Sequence, residues 1–177
     1  MNMRIVKALL FCTMSLVPVL GCTTYRIYKS VIFDINCGGR LERAASANTI
    51  ELASEELEAA LLQANKYEDG YTSVFFNTPD EDVGFWKKNL NESYAELIDF
   101  KNNIDKYSAT DKSNQLIKLR ETLIDHTDQG DKITKPSGIS IYPNNGIIFF
   151  IGTLSIIFGL VGPAWLFYVL NDESCFI

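Results

Sequence analysis

GIIFFIGTLSIIFGLVGPAWLFYVL, from Gly146 to Leu170, is a run of 25 residues without a charge. A helix rises about 1.5 Å per residue, so this stretch is longer than the ~30 Å hydrocarbon core of a bilayer and predicts a spanning helix with some tilt. Tyr142 before it, and Trp165 and Tyr168 towards its far end, suit the two membrane–water interfaces. Gly152, Ser155, Gly159 and Gly162 leave small side chains along it, which permits close approach of another helix. Pro163 is expected to kink the helix rather than end it.

A second apolar stretch lies at the other end of the chain, where Ala8 to Tyr25 gives 18 uncharged residues after Arg4 and Lys7. Its helical length, roughly 27 Å, is enough to cross. Pro18 removes one backbone donor that neighbouring groups must compensate. The same residues also fit a bacterial lipoprotein signal, with Val19-Leu20-Gly21-Cys22 ending in a lipidated Cys22. Bulky Leu20 is unusual in such a signal, and the uncleaved anchor is the preferred reading.

Orientation is contested by two rules. Arg4 and Lys7 before the first span balance Arg26 and Lys29 after it. Lys132 and Lys135 precede the second span, and only Asp172 and Glu173 lie beyond it, so the positive-inside rule favours a cytoplasmic middle. A signal-like N-terminus would instead export the middle segment, and an extracytoplasmic middle is the expectation adopted.

The whole chain of 177 residues has 16 Lys+Arg against 22 Asp+Glu, a net charge of −6. Without a basic surplus, nucleic-acid binding driven by counterion release is excluded as a leading function. The middle segment, 26–135, carries 14 of the basic and 20 of the acidic residues and belongs in water. The layout is an anchor or signal at 1–25, a helical domain at 26–135, a linker at 136–145 rich in Pro and Gly, a transmembrane helix at 146–170 and a tail at 171–177.

Three amphipathic helices are predicted in the middle. The first starts after a bend at Cys37-Gly38-Gly39, with Leu41, Ala45, Leu52, Ala53, Leu57, Ala60, Leu61 and Ala64 at three- and four-residue steps. It is one long helix or two nearly collinear ones, the second capped by Asn48 with Glu51 three residues on. The second starts at Thr78-Pro79-Asp80-Glu81, a capping signature with proline in the first turn, and runs to Ile104. The third runs from Thr110 or Asp111 to His126 and is stopped by Gln129-Gly130. Tyr71 to Phe76 has strand composition, and Ile139 to Tyr142 offers it a partner. The fold class is therefore mainly α: two transmembrane helices flanking an antiparallel three-helix domain, with room for a short two-stranded β element.

Chemistry is sparse. His126 is the lone histidine, the aspartates around it miss the calcium-loop spacing, and no transition-metal ligand set is apparent. Cys37 stands alone in the middle segment, while Cys12, Cys22 and Cys175 lie in the apolar stretch and the tail, so no disulfide framework is implied. No nucleophile motif occurs, and neither a catalytic residue, a metal nor a cofactor is assigned. Asp80, Asp82 and Trp86, where acids and aromatics converge, are the candidate ligand-binding residues. Capping and core packing are the plainer explanations of the same residues.

Cys37-Gly38-Gly39-Arg40-Leu41-Glu42-Arg43-Ala44-Ala45, Gly70-Tyr71-Thr72-Ser73, Thr78-Pro79-Asp80-Glu81-Asp82-Val83-Gly84-Phe85-Trp86 and Ile139-Ser140-Ile141-Tyr142-Pro143-Asn144-Asn145 together resemble a group of small bacterial membrane proteins. The resemblance covers most of the middle segment and implies a bacterial inner-membrane location, without an activity or a ligand to carry over. The function expected is a non-enzymatic interaction or assembly module, with a membrane-anchored ligand-binding or enzymatic domain, its site near Thr78 to Trp86, as the alternative. Its partners would be the lipid bilayer and either a second copy of the chain or other membrane proteins.

Overall fold

The computed structural model describes residues 3–128 and 130–174; Gln129 and the tail residues 175–177, Cys175 among them, lie outside the described residues. The protein is mainly helical, at 77%, with one two-stranded antiparallel sheet and two helices long and apolar enough to cross a membrane. It divides into two compact units, one built from the ends of the chain up to Lys29 and from Asn144, the other from Ser30–Pro143.

The terminal unit pairs the first part of helix α1 (Met3–Phe33) with helix α6 (Asn145–Ser174). The pairing is antiparallel. Near one end, the Phe11 ring meets the Trp165 ring edge-on at 5.3 Å; near the other, Cys22 Sγ lies 3.4 Å from Ser155 Oγ. Between these, Gly159 faces Val19 and Gly162 faces Ser15 and Cys12. Ser155, Gly159 and Gly162 of α6 thus serve the approach of α1 in the same chain. Only 11% and 17% of the most apolar windows of the two helices are buried. Leu10, Val17, Leu20, Phe150, Leu154, Leu160 and Phe167 remain exposed, the inverse of a core helix in a water-soluble fold.

In the second unit, the chain stays helical through the expected bend. Asp34–Gly38 forms a π-turn that runs into helix α2 (Gly39–Ala45). Steps of four outrun a 3.6-residue turn, and the wider i→i+5 turn restores the phase. Phe33, Cys37 and Leu41 consequently all reach the core. Helix α3 (Ile50–Ala64) is separate from α2, and its cap is Thr49 rather than Asn48, with the Thr49 hydroxyl accepting the Leu52 amide at 3.2 Å. Glu56 joins the two helices by receiving Arg40 at 2.9 Å and Arg43 at 3.0 Å.

The next expected start also shifts. Pro79–Glu81 is a 3-10 turn, and helix α4 (Val83–Asn102) begins four residues after Pro79 with Asp82 as its cap. Its cause is a short pairing with the preceding loop. The Thr72 amide donates to the Glu81 carbonyl at 3.1 Å and the Val83 amide to the Gly70 carbonyl at 2.8 Å, which draws Asp82 into extended backbone. The Thr78 hydroxyl, expected to cap, instead donates to the Glu81 carboxylate at 2.9 Å.

Helix α5 (Ala109–Leu123) opens with a reciprocal capping box between Ser108 and Asp111. It ends earlier than His126, because Ile124–Thr127 is strand β1, paired antiparallel with β2 (Gly130–Ile133) from Ile124↔Ile133 to Thr127↔Gly130. Gly130, expected to stop a helix, opens β2 at φ +111°, a conformation that favours glycine. The sheet therefore lies elsewhere than expected. Tyr71 makes one isolated bridge, to Asp82, and Ile139–Ile141 is a 3-10 turn after Gly138 at φ +76°. What joins the two stretches is a hydrogen bond from the Thr72 hydroxyl to the Ser137 carbonyl.

The core of this unit gathers Phe33, Leu41, Leu57, Leu61, Trp86, Leu90, Leu97, Leu119, Leu123 and Ile139. Ala53, Ala60 and Ala64 keep one face of α3 thin, which lets its neighbours pack closely.

Candidate functional site

Three stretches of the second unit surround an open cleft of about 870 Å³. Phe33, Asp34 and Glu42 come from the end of α1 and its continuation, Asp80, Asp82, Phe85 and Trp86 from the 3-10 turn before α4 and the start of α4, and Asp125, Lys132, Lys135 and Ile139 from the sheet and the segment that follows it. Asp80, Asp82 and Trp86, singled out in the sequence, all line this one cleft.

Each of the three also has a structural task or setting. The Asp82 carboxylate accepts the Phe85 amide at 3.0 Å and caps α4. Trp86 is 5% exposed, and its indole Nε1 donates to the Thr134 carbonyl at 2.8 Å, tying α4 to the segment that follows β2. Asp80 is exposed and uses its position at the helix start to place charge on the rim. The neighbouring Phe85 is 60% exposed, an aromatic face on the open side of the cleft.

The cleft is acidic. Asp34, Glu42, Asp80, Asp82 and Asp125 stand against Lys132 and Lys135. Lys135 is engaged by the Asp34 carboxylate at 2.5 Å and lies 5.4 Å over the Phe33 ring. Asp34, Glu42, Asp125 and the two lysines were not legible as site residues, because they come from positions far from Thr78–Trp86 that only the tertiary packing joins.

Behind the cleft, Cys37 is buried, and its thiol donates to the Ala60 carbonyl at 3.8 Å. Burial pushes this thiol up to about 12, opposed in part by the positive charge of Lys135 and reinforced by the negative charge of Asp34. Such a thiol is a packing group, since the thiolate is the nucleophile. His126 is on exposed β1, with its Nδ1 2.7 Å from Asp131 and Arg120 3.6 Å from the same carboxylate. The hydrogen bond from His126 is the largest cause holding Asp131 below the ordinary aspartate range. Among the described residues, no group of three His, Cys, Asp or Glu side chains is arranged to hold a metal ion. Cys22 lies within α1, half-buried against Ser155.

Neither a protein-family model nor a curated protein nor a solved structure matches this chain. The functional reading therefore rests on its own residues.

Proposed function

We propose that the protein is a non-enzymatic, membrane-tethered binding module of a bacterial cell envelope, with α3, α4 and α5 as the three-helix scaffold that presents the cleft. The observation that carries this reading is the convergence of Asp80, Asp82, Phe85 and Trp86 with Asp34, Glu42 and Asp125 on one concave surface. An acidic, open cleft with an exposed phenyl on its side favours a basic segment that also carries apolar side chains, such as a loop of another membrane protein. The apolar, exposed faces of α1 and α6 support an uncleaved two-helix anchor, and the position of Cys22 inside the helix pair supports it over lipidation at that residue. The small-residue face of α6 is engaged by α1, so assembly with a second copy would use another surface. The signal-like N-terminus supports an extracytoplasmic domain of an inner-membrane protein.

The test is photocrosslinking in intact cells, with p-benzoylphenylalanine in place of Phe85. The expected result is a discrete protein adduct that is lost in Asp80→Lys. A cleft that captures nothing at Phe85, or captures equally with Asp80→Lys, would defeat the proposal. A second reading, a small-molecule site, is favoured by the size of the cleft, which lies in the usual range of roughly 300–1,000 Å³ for such sites. It predicts a low-molecular-weight adduct at Phe85 instead.

A further inference from the structure

Gly70 to Pro79 is a run of ten residues without a charge, set between Asp69 and Asp80 in a domain otherwise dense with charge. Its tip is aromatic and turned to the outside: Phe75 is 68% and Phe76 74% exposed. The Ser73 hydroxyl accepts the amides of both Phe75, at 3.4 Å, and Phe76, at 3.1 Å, so the tip is a built turn.

The root of this loop is fastened in two places. On one side, Tyr71 bridges to Asp82 at the start of α4. On the other, the buried Thr72 donates to the Ser137 carbonyl, and the Tyr142 hydroxyl donates to the Asp69 carbonyl at 3.1 Å. Gly70, at φ +140°, makes room for that hydroxyl, which would stand 2.8 Å from any Cβ there. Tyr142 is four residues before Gly146, where the uncharged stretch of α6 begins. Four residues span at most about 14 Å of chain. The covalent path therefore keeps Tyr142, whose side chain holds the root of the aromatic loop, within that distance of a membrane-spanning segment.

We infer that the Tyr71–Phe76 loop is an interfacial membrane anchor, whose Phe75 and Phe76 rings insert into the headgroup–acyl boundary of the bilayer that α6 crosses. Exposed phenyls on a loop without charge have little reason to face water and a favourable site in that boundary. The inference rests on the reading of α1 and α6 as spanning helices, and the experiment separates the two.

The full chain is reconstituted in phosphatidylcholine vesicles with p-benzoylphenylalanine in place of Phe76, of Phe158 on the exposed face of α6, or of Asn91 on the exposed face of α4. After irradiation, lipid adducts are weighed by mass spectrometry. The expected result is lipid adduct at residues 76 and 158, several-fold above that at residue 91. Adduct at 158 with none above the residue-91 level at 76 would overturn the loop anchor while leaving the spans intact. A product of twice the chain mass at 76 would overturn it in favour of a second copy. Absence of lipid adduct at 158 would remove the spans and the loop anchor together.

Discussion

Gly162 stands so close to Ser15 that a Cβ added to it would overlap the Ser15 hydroxyl and lie 2.8 Å from the Cys12 Cα. The second of these is backbone and cannot swing away. The helix pair therefore requires glycine here, whereas Gly152, with nothing within 4 Å, does not. Cys22 and a cysteine introduced by Ser155→Cys should form a disulfide on mild oxidation, since Cys22 Sγ and Ser155 Oγ are 3.4 Å apart. In a background without the other cysteines, Gly162→Leu should cut the yield of that crosslink several-fold. Gly152→Leu should leave it unchanged. Equal yields in both variants would contradict the packing.

Trp86→Phe should keep most of the core volume but lose the bond from Nε1 to the Thr134 carbonyl, at a cost of about 1 kcal/mol. Trp86→Ala adds a cavity and should cost about 3–5 kcal/mol. Denaturant unfolding in detergent, monitored by near-ultraviolet circular dichroism, checks the order of the two. Leu57→Ala, at a fully buried position, should cost about 2–5 kcal/mol by the same measure.

Glu56 is the shared acceptor of Arg40 and Arg43, and its side chain is far less exposed than either arginine. Glu56→Gln should lower stability by about 1 kcal/mol at low salt, with a smaller difference at high salt, because both arginine partners are partly screened by water. Thermal melts at two ionic strengths read this directly. A salt-independent loss would mean that the carboxylate acts through packing instead.

Cys37 makes stability depend on pH at the alkaline end. Its thiol is pushed from 9.0 up to about 12 in the folded chain, so the unfolded chain loses its proton first. Its contribution is fully present below pH 9 and is lost as pH rises towards about 12. Replacement by alanine should flatten that part of the profile. In the native protein at neutral pH, a maleimide should label Cys37 far more slowly than after denaturation.

At the acid end, two carboxylates have the opposite sign. Hydrogen bonds from the Ser108 hydroxyl and amide hold Asp111 below the usual range, and those from Lys118 and Gln115 do the same for Glu96. Both stabilise the fold above the ordinary carboxylate range and lose that effect as pH falls through it and below. Referred to the intrinsic exchange rate at each pH, the protection of amides in the first turn of α5 should fall on acidification, and Ser108→Ala should lower it already at neutral pH. An N-terminal turn of α5 unaffected by either change would argue against the capping box.

How far the sequence carried can be judged from individual residues. The two helices long and apolar enough to cross a membrane were readable because composition alone marks them: 25 uncharged residues from Gly146 need no partner to be recognised. The stripe Trp86, Leu90, Leu97 on α4 was readable for a similar reason, since helical period is a local property. The cap of α4 was displaced by four residues, from Thr78 to Asp82, where the distant Gly70 and Thr72 pair with the chain around Asp82. The hairpin at Ile124–Ile133 was missed because His126 and its aspartates read as a polar helix end, and only Ile124 and Ile133 among its eight strand residues are part-buried. Asp80, Asp82 and Trp86 were named from one local cluster, whereas the Asp34–Lys135 pair spans 101 positions and has no local signature.

The head-to-tail crossing of Phe11 over Trp165 and Cys22 over Ser155 fixes which ends of the two helices lie together. On the reading that both helices traverse the bilayer, Met3 and Asp172 emerge on one side of it, and Tyr25 and Gly146 lie towards the other. The two helices are clamped together at Gly159 and Gly162, so neither can slide along the other without unseating Ser15 or Val19. Whatever displaces one helix therefore carries the other with it.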